Sequence, residues 1–138
     1  MEYTIQAAVT GEFDDVVDAT TAALEEEGFG VLCDIDIQGT LKEKLGEEFP
    51  QYRILGACNP PLAHEGLTAE TELGALLPCN VIVYERDDGD IVVSAVDPEQ
   101  LVGIADNDSL DSIATEVTER FDRVLAAVSE EFEPASAV

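Results

Sequence analysis

Apolar residues recur in this chain with two different periods, and the order in which those periods alternate leaves few folds open. Tyr3, Ile5, Ala7 and Val9 alternate with Thr4, Gln6 and Thr10, a period of two that predicts a strand buried on one face. After Gly11 the period changes. Val16, Val17, Thr20 and Leu24 fall at helical spacing, Asp14 and Asp15 stand at the positive end of the helix dipole, and Gly28 supplies a stop, predicting a helix over about 13–27. Strand-like runs then return at about 29–37, 51–57, 77–85 and 91–96. The last two are joined by Asp87-Asp88-Gly89-Asp90, a turn sequence that makes them a hairpin. The chain closes on Leu110, Ile113, Val117, Phe121, Val124 and Val128, the apolar stripe of a long helix from after Asp108 to about Glu131.

Shorter helices fill the gaps. Thr40-Leu41-Lys42-Glu43 has the spacing of a capping box and predicts a helix over about 41–46; Ala63 to Leu67 reads as a helical turn carrying the only histidine, His64. Asp97-Pro98 opens another, with Asp97 as cap and Pro98 in the first turn. The resulting order, strand, long helix, four strands, long helix, defines an α+β fold, an antiparallel sheet with both long helices on one face. A length of 138 residues suits one domain, expected over 1–133, with a loose tail at 134–138. No repeat of 20–50 residues and no Pro-, Gly- or Ser-rich linker divides it. A sheet covered on one face only leaves the other needing cover, which predicts a homodimer.

Charge narrows the function classes. Thirty-one Asp and Glu against six Lys and Arg give a formal net charge of -25. Disorder does not follow, because 46% of residues are hydrophobic and their periodicity is clear. The composition points instead to a folded domain with a carboxylate-dense surface of the halophile type, suited to a cytoplasm in which concentrated counterions screen self-repulsion. No basic stripe is present to neutralise phosphates, so nucleic acid and anionic membrane are disfavoured as partners. With no long apolar run for a membrane span and no basic, apolar leader, a cytoplasmic location is expected.

Two near-copies of one phrase carry the chemistry: Gly56-Ala57-Cys58-Asn59-Pro60 at the end of the third strand and Leu77-Pro78-Cys79-Asn80-Val81 at the start of the fourth. Paired antiparallel, those strand ends bring Cys58 and Cys79 to one rim. Four readings follow. The cysteines are small buried residues and the asparagines satisfy backbone groups; or the thiols form a reversible disulfide. Alternatively, Cys58, Cys79 and His64 hold a transition metal, with Glu65 or Glu72 nearby; or one thiol is a nucleophile with His64 as base. The rim residues Cys58, Asn59, Pro60, Pro78, Cys79 and Asn80 are accordingly the candidate small-ligand site of a binding module, and a thiol-dependent redox protein or enzyme is the alternative. Cys33, inside the second strand without a companion motif, reads as core filler.

The motifs Thr40-Leu41-Lys42-Glu43-Lys44-Leu45-Gly46, Tyr52-Arg53-Ile54-Leu55-Gly56-Ala57-Cys58-Asn59-Pro60, Leu76-Leu77-Pro78-Cys79-Asn80-Val81 and Val96-Asp97-Pro98 resemble the family known as Domain of Unknown Function 302. With the flanking elements the resemblance spans roughly 3–130. It implies a β-α-β-β-β-β-α domain with a curved antiparallel sheet, similar in topology to TATA-box-binding-protein-like folds, and a tendency to form homodimers. It brings no catalytic residues, and a shared topology does not imply DNA binding.

Overall fold

A computed structural model describes residues 2–135. The elements run β1 (Thr4–Thr10), α1 (Phe13–Glu26), β2 (Gly30–Asp36), α2 (Ile37–Leu45), β3 (Tyr52–Cys58), α3 (Pro60–Ala69), β4 (Cys79–Glu85), β5 (Ile91–Val96), α4 (Pro98–Ala105), α5 (Asp111–Glu131) and β6 (Glu133–Pro134), with short 3-10 turns at Thr71–Leu76 and Asp108–Leu110. The strands form one six-stranded antiparallel sheet in the order β2-β3-β4-β5-β1-β6. This is the expected α+β architecture, with one more strand than expected.

One face of the sheet holds the core. Val9, Leu55, Ala57, Val81, Val83, Ile91, Val93 and Ala95 point to the same side, where they meet Val16, Val17 and Leu24 of α1 and Val117, Phe121, Val124 and Val128 of α5. Both apolar stripes read from the sequence therefore end on one sheet face, buried along their length except for Ile113, which is half-buried. Burial at roughly 25 cal/mol per Å² of apolar surface makes this layer the main source of stability. At its centre the Phe121 ring lies 5.0 Å from that of Phe29.

The turn out of α1 shows how local chemistry places Phe29. Gly28 takes φ 85°, a left-handed conformation glycine adopts without penalty, and the Phe29 N–H then donates to the Leu24 carbonyl at 2.9 Å. Arg120 of α5 completes the corner by donating from Nη1 to the Glu27 carbonyl at 2.6 Å. A guanidinium at a helix C-terminus also complements the helix dipole, which offsets the unfavourable Glu25-Glu26-Glu27 run.

Three local expectations are corrected. The helix placed at 41–46 starts earlier, at Ile37, because Asp36 rather than Thr40 is its cap: Asp36 Oδ1 accepts from the Gly39 N–H at 2.9 Å. Cys33 is not in the core. It is exposed on the edge strand, where its sulfur lies over Gly56 in the space a side chain there would occupy. Nor does the chain leave the sheet at 133: Pro134 pairs with Val9, and the Ala135 N–H donates to the Ala8 carbonyl at 3.0 Å. The rest of the expected loose tail, 136–138, lies outside the described residues.

The opposite sheet face has no helix on it from the main core. Across it the register aligns Ile35, Ile54, Ile82 and Ser94 in one row and Tyr52, Tyr84 and Val92 in the next. Tyr52 and Tyr84 stack at 5.6 Å, and Phe49 meets Tyr52 edge-on at 6.0 Å. Burial, with smaller contributions from the phenols of Tyr84 and Tyr3, pushes the Tyr52 phenol above its ordinary pKa. At the β2 edge, Arg53 grips Asp34 through two hydrogen bonds, one of 2.7 Å, and that contact holds the Asp34 carboxyl below its usual range. No helix among the described residues is long and apolar enough to cross a membrane.

Candidate functional site

The two Cys-Asn phrases do meet where β3 ends and β4 begins, and their registers are offset by one. Ala57 is opposite Cys79 and Gly56 is opposite Asn80, so Cys58 comes level with Pro78 rather than with Cys79. Strand alternation then puts Cys79 on the core side with Ala57 and Val81, while Asn80 is exposed on the other side. Asn59 is the N-cap of α3: buried to 7% exposure, its Oδ1 accepts from the Leu62 N–H at 3.2 Å, and Pro60 and Pro61 occupy the first turn. Its duty is structural.

Cys58 and Cys79 nonetheless border one space. A cavity of about 300 Å³ lies between this end of the sheet and the helices, with Cys58, Asn59, Pro78 and Cys79 on its wall. Five further segments supply the remainder: Phe29 before β2, Leu62 from α3, Leu73 from the 3-10 turn after it, Leu101 from α4, and Ile113 and Val117 from α5. At its mouth stands Leu32, which lines the cavity while remaining 69% exposed. The cause is a register shift between Val31 and Cys33 that leaves Leu32 outside the β2–β3 ladder, the kind of bulge that re-aims a side chain.

Of the residues expected at the site, Pro60 is exposed in the first turn of α3 and Asn80 faces away; neither lines the cavity. His64 is also exposed, because α3 turns Leu62 and Ala63 inward and the next position outward. The ligand set Cys58, Cys79 and His64 therefore does not assemble: among the described residues no three His, Cys, Asp or Glu side chains gather where they could hold a metal ion. All three cysteines are free thiols.

Burial, and after it the proximity of Cys58, pushes the Cys79 thiol up to about 11. At neutral pH Cys79 is a protonated thiol, a poor nucleophile and a poor metal ligand. Two outcomes follow. Iodoacetamide at pH 7.5 modifies exposed Cys33 fast and Cys79 only on unfolding, as peptide mass mapping over time would show; equal rates would contradict the burial. The linkage to stability runs toward alkali: the unfolded chain releases this proton near pH 9 and the folded one near 11, so on the order of 2 kcal/mol present below pH 9 is lost as pH rises through 11. Cys79→Ala should remove that part of the slope in urea titrations at pH 8 and 10.5.

The architecture and cavity define a class: a small α+β domain whose antiparallel sheet is backed by two long helices, with an apolar pocket at one sheet end. The chain belongs to the family of the domain of unknown function DUF302, whose model matches residues 5–128. It is similar to the crystal structure of an uncharacterized conserved DUF302 protein from Bacillus stearothermophilus, with a TM-score of 0.86, 28% identity, and coverage of 93% of this chain and 99% of that one. No curated protein matches it.

Proposed function

We propose that this domain is a homodimeric binding module that holds a small molecule in the cavity beside Cys58 and Cys79 and does not transform it. The observation that carries this reading is the cavity itself, a concave apolar space of about 300 Å³ built by segments distant in sequence around one end of the sheet. Chemistry has less support. A nucleophilic thiol needs a thiolate and a base within reach, whereas Cys79 holds its proton and His64 stands off the wall. The test is a ligand-observed NMR screen of small molecules in molar KCl, with Ala114→Phe, which fills the cavity, as control. Hits that vanish in the variant and, in protein-observed methyl spectra, perturb Ala57 and Ala63 support binding there; hits unaffected by the variant, or none, refute it.

Self-association is supported by the open sheet face, on which the isoleucine row and the stacked tyrosines make an apolar surface that a second copy would cover. Light scattering in molar KCl should give twice the 14.8 kDa chain mass, and Ile54→Glu should return it to one. A wild-type protein of single-chain mass at 50 μM contradicts the dimer. The carboxylate-dense surface supports a habitat in concentrated salt, where counterions shorten the reach of repulsion.

A further inference from the structure

The cavity also carries information about what it selects. No Asp, Glu, Lys, Arg or His lines it, in a chain of which 27% of residues are charged. The single side-chain amide is Asn59, and its acceptor is already committed. Its acceptor Oδ1 caps α3, and its Nδ2 points away from the sulfur-lined wall, toward the Gly28 and Arg120 corner, 3.1 Å from where a Gly28 side chain would begin. An ion entering this space would lose its hydration and meet no counter-charge, and an anion would first have to approach a surface of net charge -25. Size is bounded as well. A dry apolar cavity of about 150 Å³ takes one benzene, so twice that volume fits about two fused rings. The remaining polar character of the wall is sulfur, and thiols beside Phe29 favour a polarisable aromatic guest over a hydrogen-bonding one.

Resting on the binding reading above, we infer that the ligand is a neutral aromatic molecule of about two fused rings, admitted past the lip formed by Leu32. The strand bulge gives that lip its function: it takes Leu32 out of the ladder and stands an apolar side chain at the entrance of the pocket.

Three matched probes test this: indole, indole-3-acetate and tryptamine, which are neutral, anionic and cationic. The chain contains no tryptophan, so probe fluorescence reports binding directly. In 1 M KCl, where long-range repulsion is screened, indole should bind and each ion should bind at least about 30-fold more weakly, because only the ions must be desolvated without a partner. Leu32→Glu, an exposed change that leaves the core untouched, should weaken indole at least about tenfold. Either ion binding within threefold of indole overturns the charge selection and leaves the small-molecule reading standing. Failure of all three probes while the NMR screen finds other cavity ligands overturns the aromatic assignment alone, and failure of both experiments overturns the inference together with the reading beneath it. An unchanged indole affinity in Leu32→Glu removes the lip.

Discussion

Phe121→Ala is expected to destabilise the domain by about 3–5 kcal/mol, the cost of emptying a fully enclosed aromatic site. Phe121 is 0% exposed, sits mid-helix on α5, and carries the ring contact to Phe29 that ties the last long helix to the turn leaving the first. A domain has only about 5–15 kcal/mol in total, so the change removes roughly a fifth of it at least. Urea unfolding in molar KCl should show the midpoint falling with the slope unchanged, and the melting temperature dropping by on the order of 10–20 °C. Phe121→Leu, which keeps most of the volume, should recover more than half of the loss. A penalty below about 1 kcal/mol for the alanine variant would mean that the two helices are not packed on the sheet as described. Because Phe29 is also a wall of the cavity, the alanine variant should in addition hold a ligand less tightly.

The long-period features of this fold were legible in the sequence because each is set by a local physical rule. Val16, Val17, Thr20 and Leu24, like Val117, Phe121, Val124 and Val128, declare a buried helix face by spacing alone, and Asp97-Pro98 declares a helix start by capping chemistry. Where two local signals competed, tertiary contact decided. Thr40 and Glu43 satisfy the capping-box pattern, yet Asp36 ends the edge strand and takes the cap first. The two-residue β6 had no periodicity to announce it, since Glu133 and Pro134 are a strand only because β1 offers a free edge.

The site was legible in part, for a different reason. That the Cys-Asn phrases share a rim followed from antiparallel pairing, but the one-residue offset depends on register, which neither phrase specifies. The cavity was hidden. Phe29 and Ile113 read as ordinary residues of a strand and a helix, Leu62 and Leu101 carry no motif, and only their convergence leaves a space between them. Leu32 had no sequence signal at all, because a bulge appears only when the two strands are counted against each other. Cys33 was misplaced for the same reason: the bulge resets alternation along β2, and Gly56 makes room for the sulfur on the outer side.

Withdrawing salt should unfold the wild-type domain more effectively than any surface substitution. Among the described residues, five of the six basic side chains are held in ion pairs: Lys42 with Glu48, Arg53 with Asp34, Arg86 with Asp90, Arg120 with Glu116 and Arg123 with Glu27. With 31 carboxylates against six cations, most acidic groups therefore face one another across the surface. At 1 M salt the screening length is about 3 Å and each carboxylate senses only its contacts; at 0.01 M it is about 30 Å, and every carboxylate on a domain of this size repels every other. The folded state concentrates that charge and the open chain relieves it, so the repulsion acts against folding. Moving from 2 M to 20 mM KCl should lower the melting temperature by more than about 15 °C, equivalent to several kcal/mol. Acid offers an independent check. Titrating from pH 7 toward 4.5 in 20 mM KCl protonates part of the surface, and should recover part of the lost stability before paired carboxylates such as Asp34, whose pKa is depressed by Arg53, begin to titrate and reverse the gain. Replacing KCl with sucrose of equal osmotic strength should rescue far less, because sucrose carries no counterions. A melting temperature indifferent to KCl over this range would show that the carboxylates are too far apart to matter and would remove the salt-dependent reading of the composition.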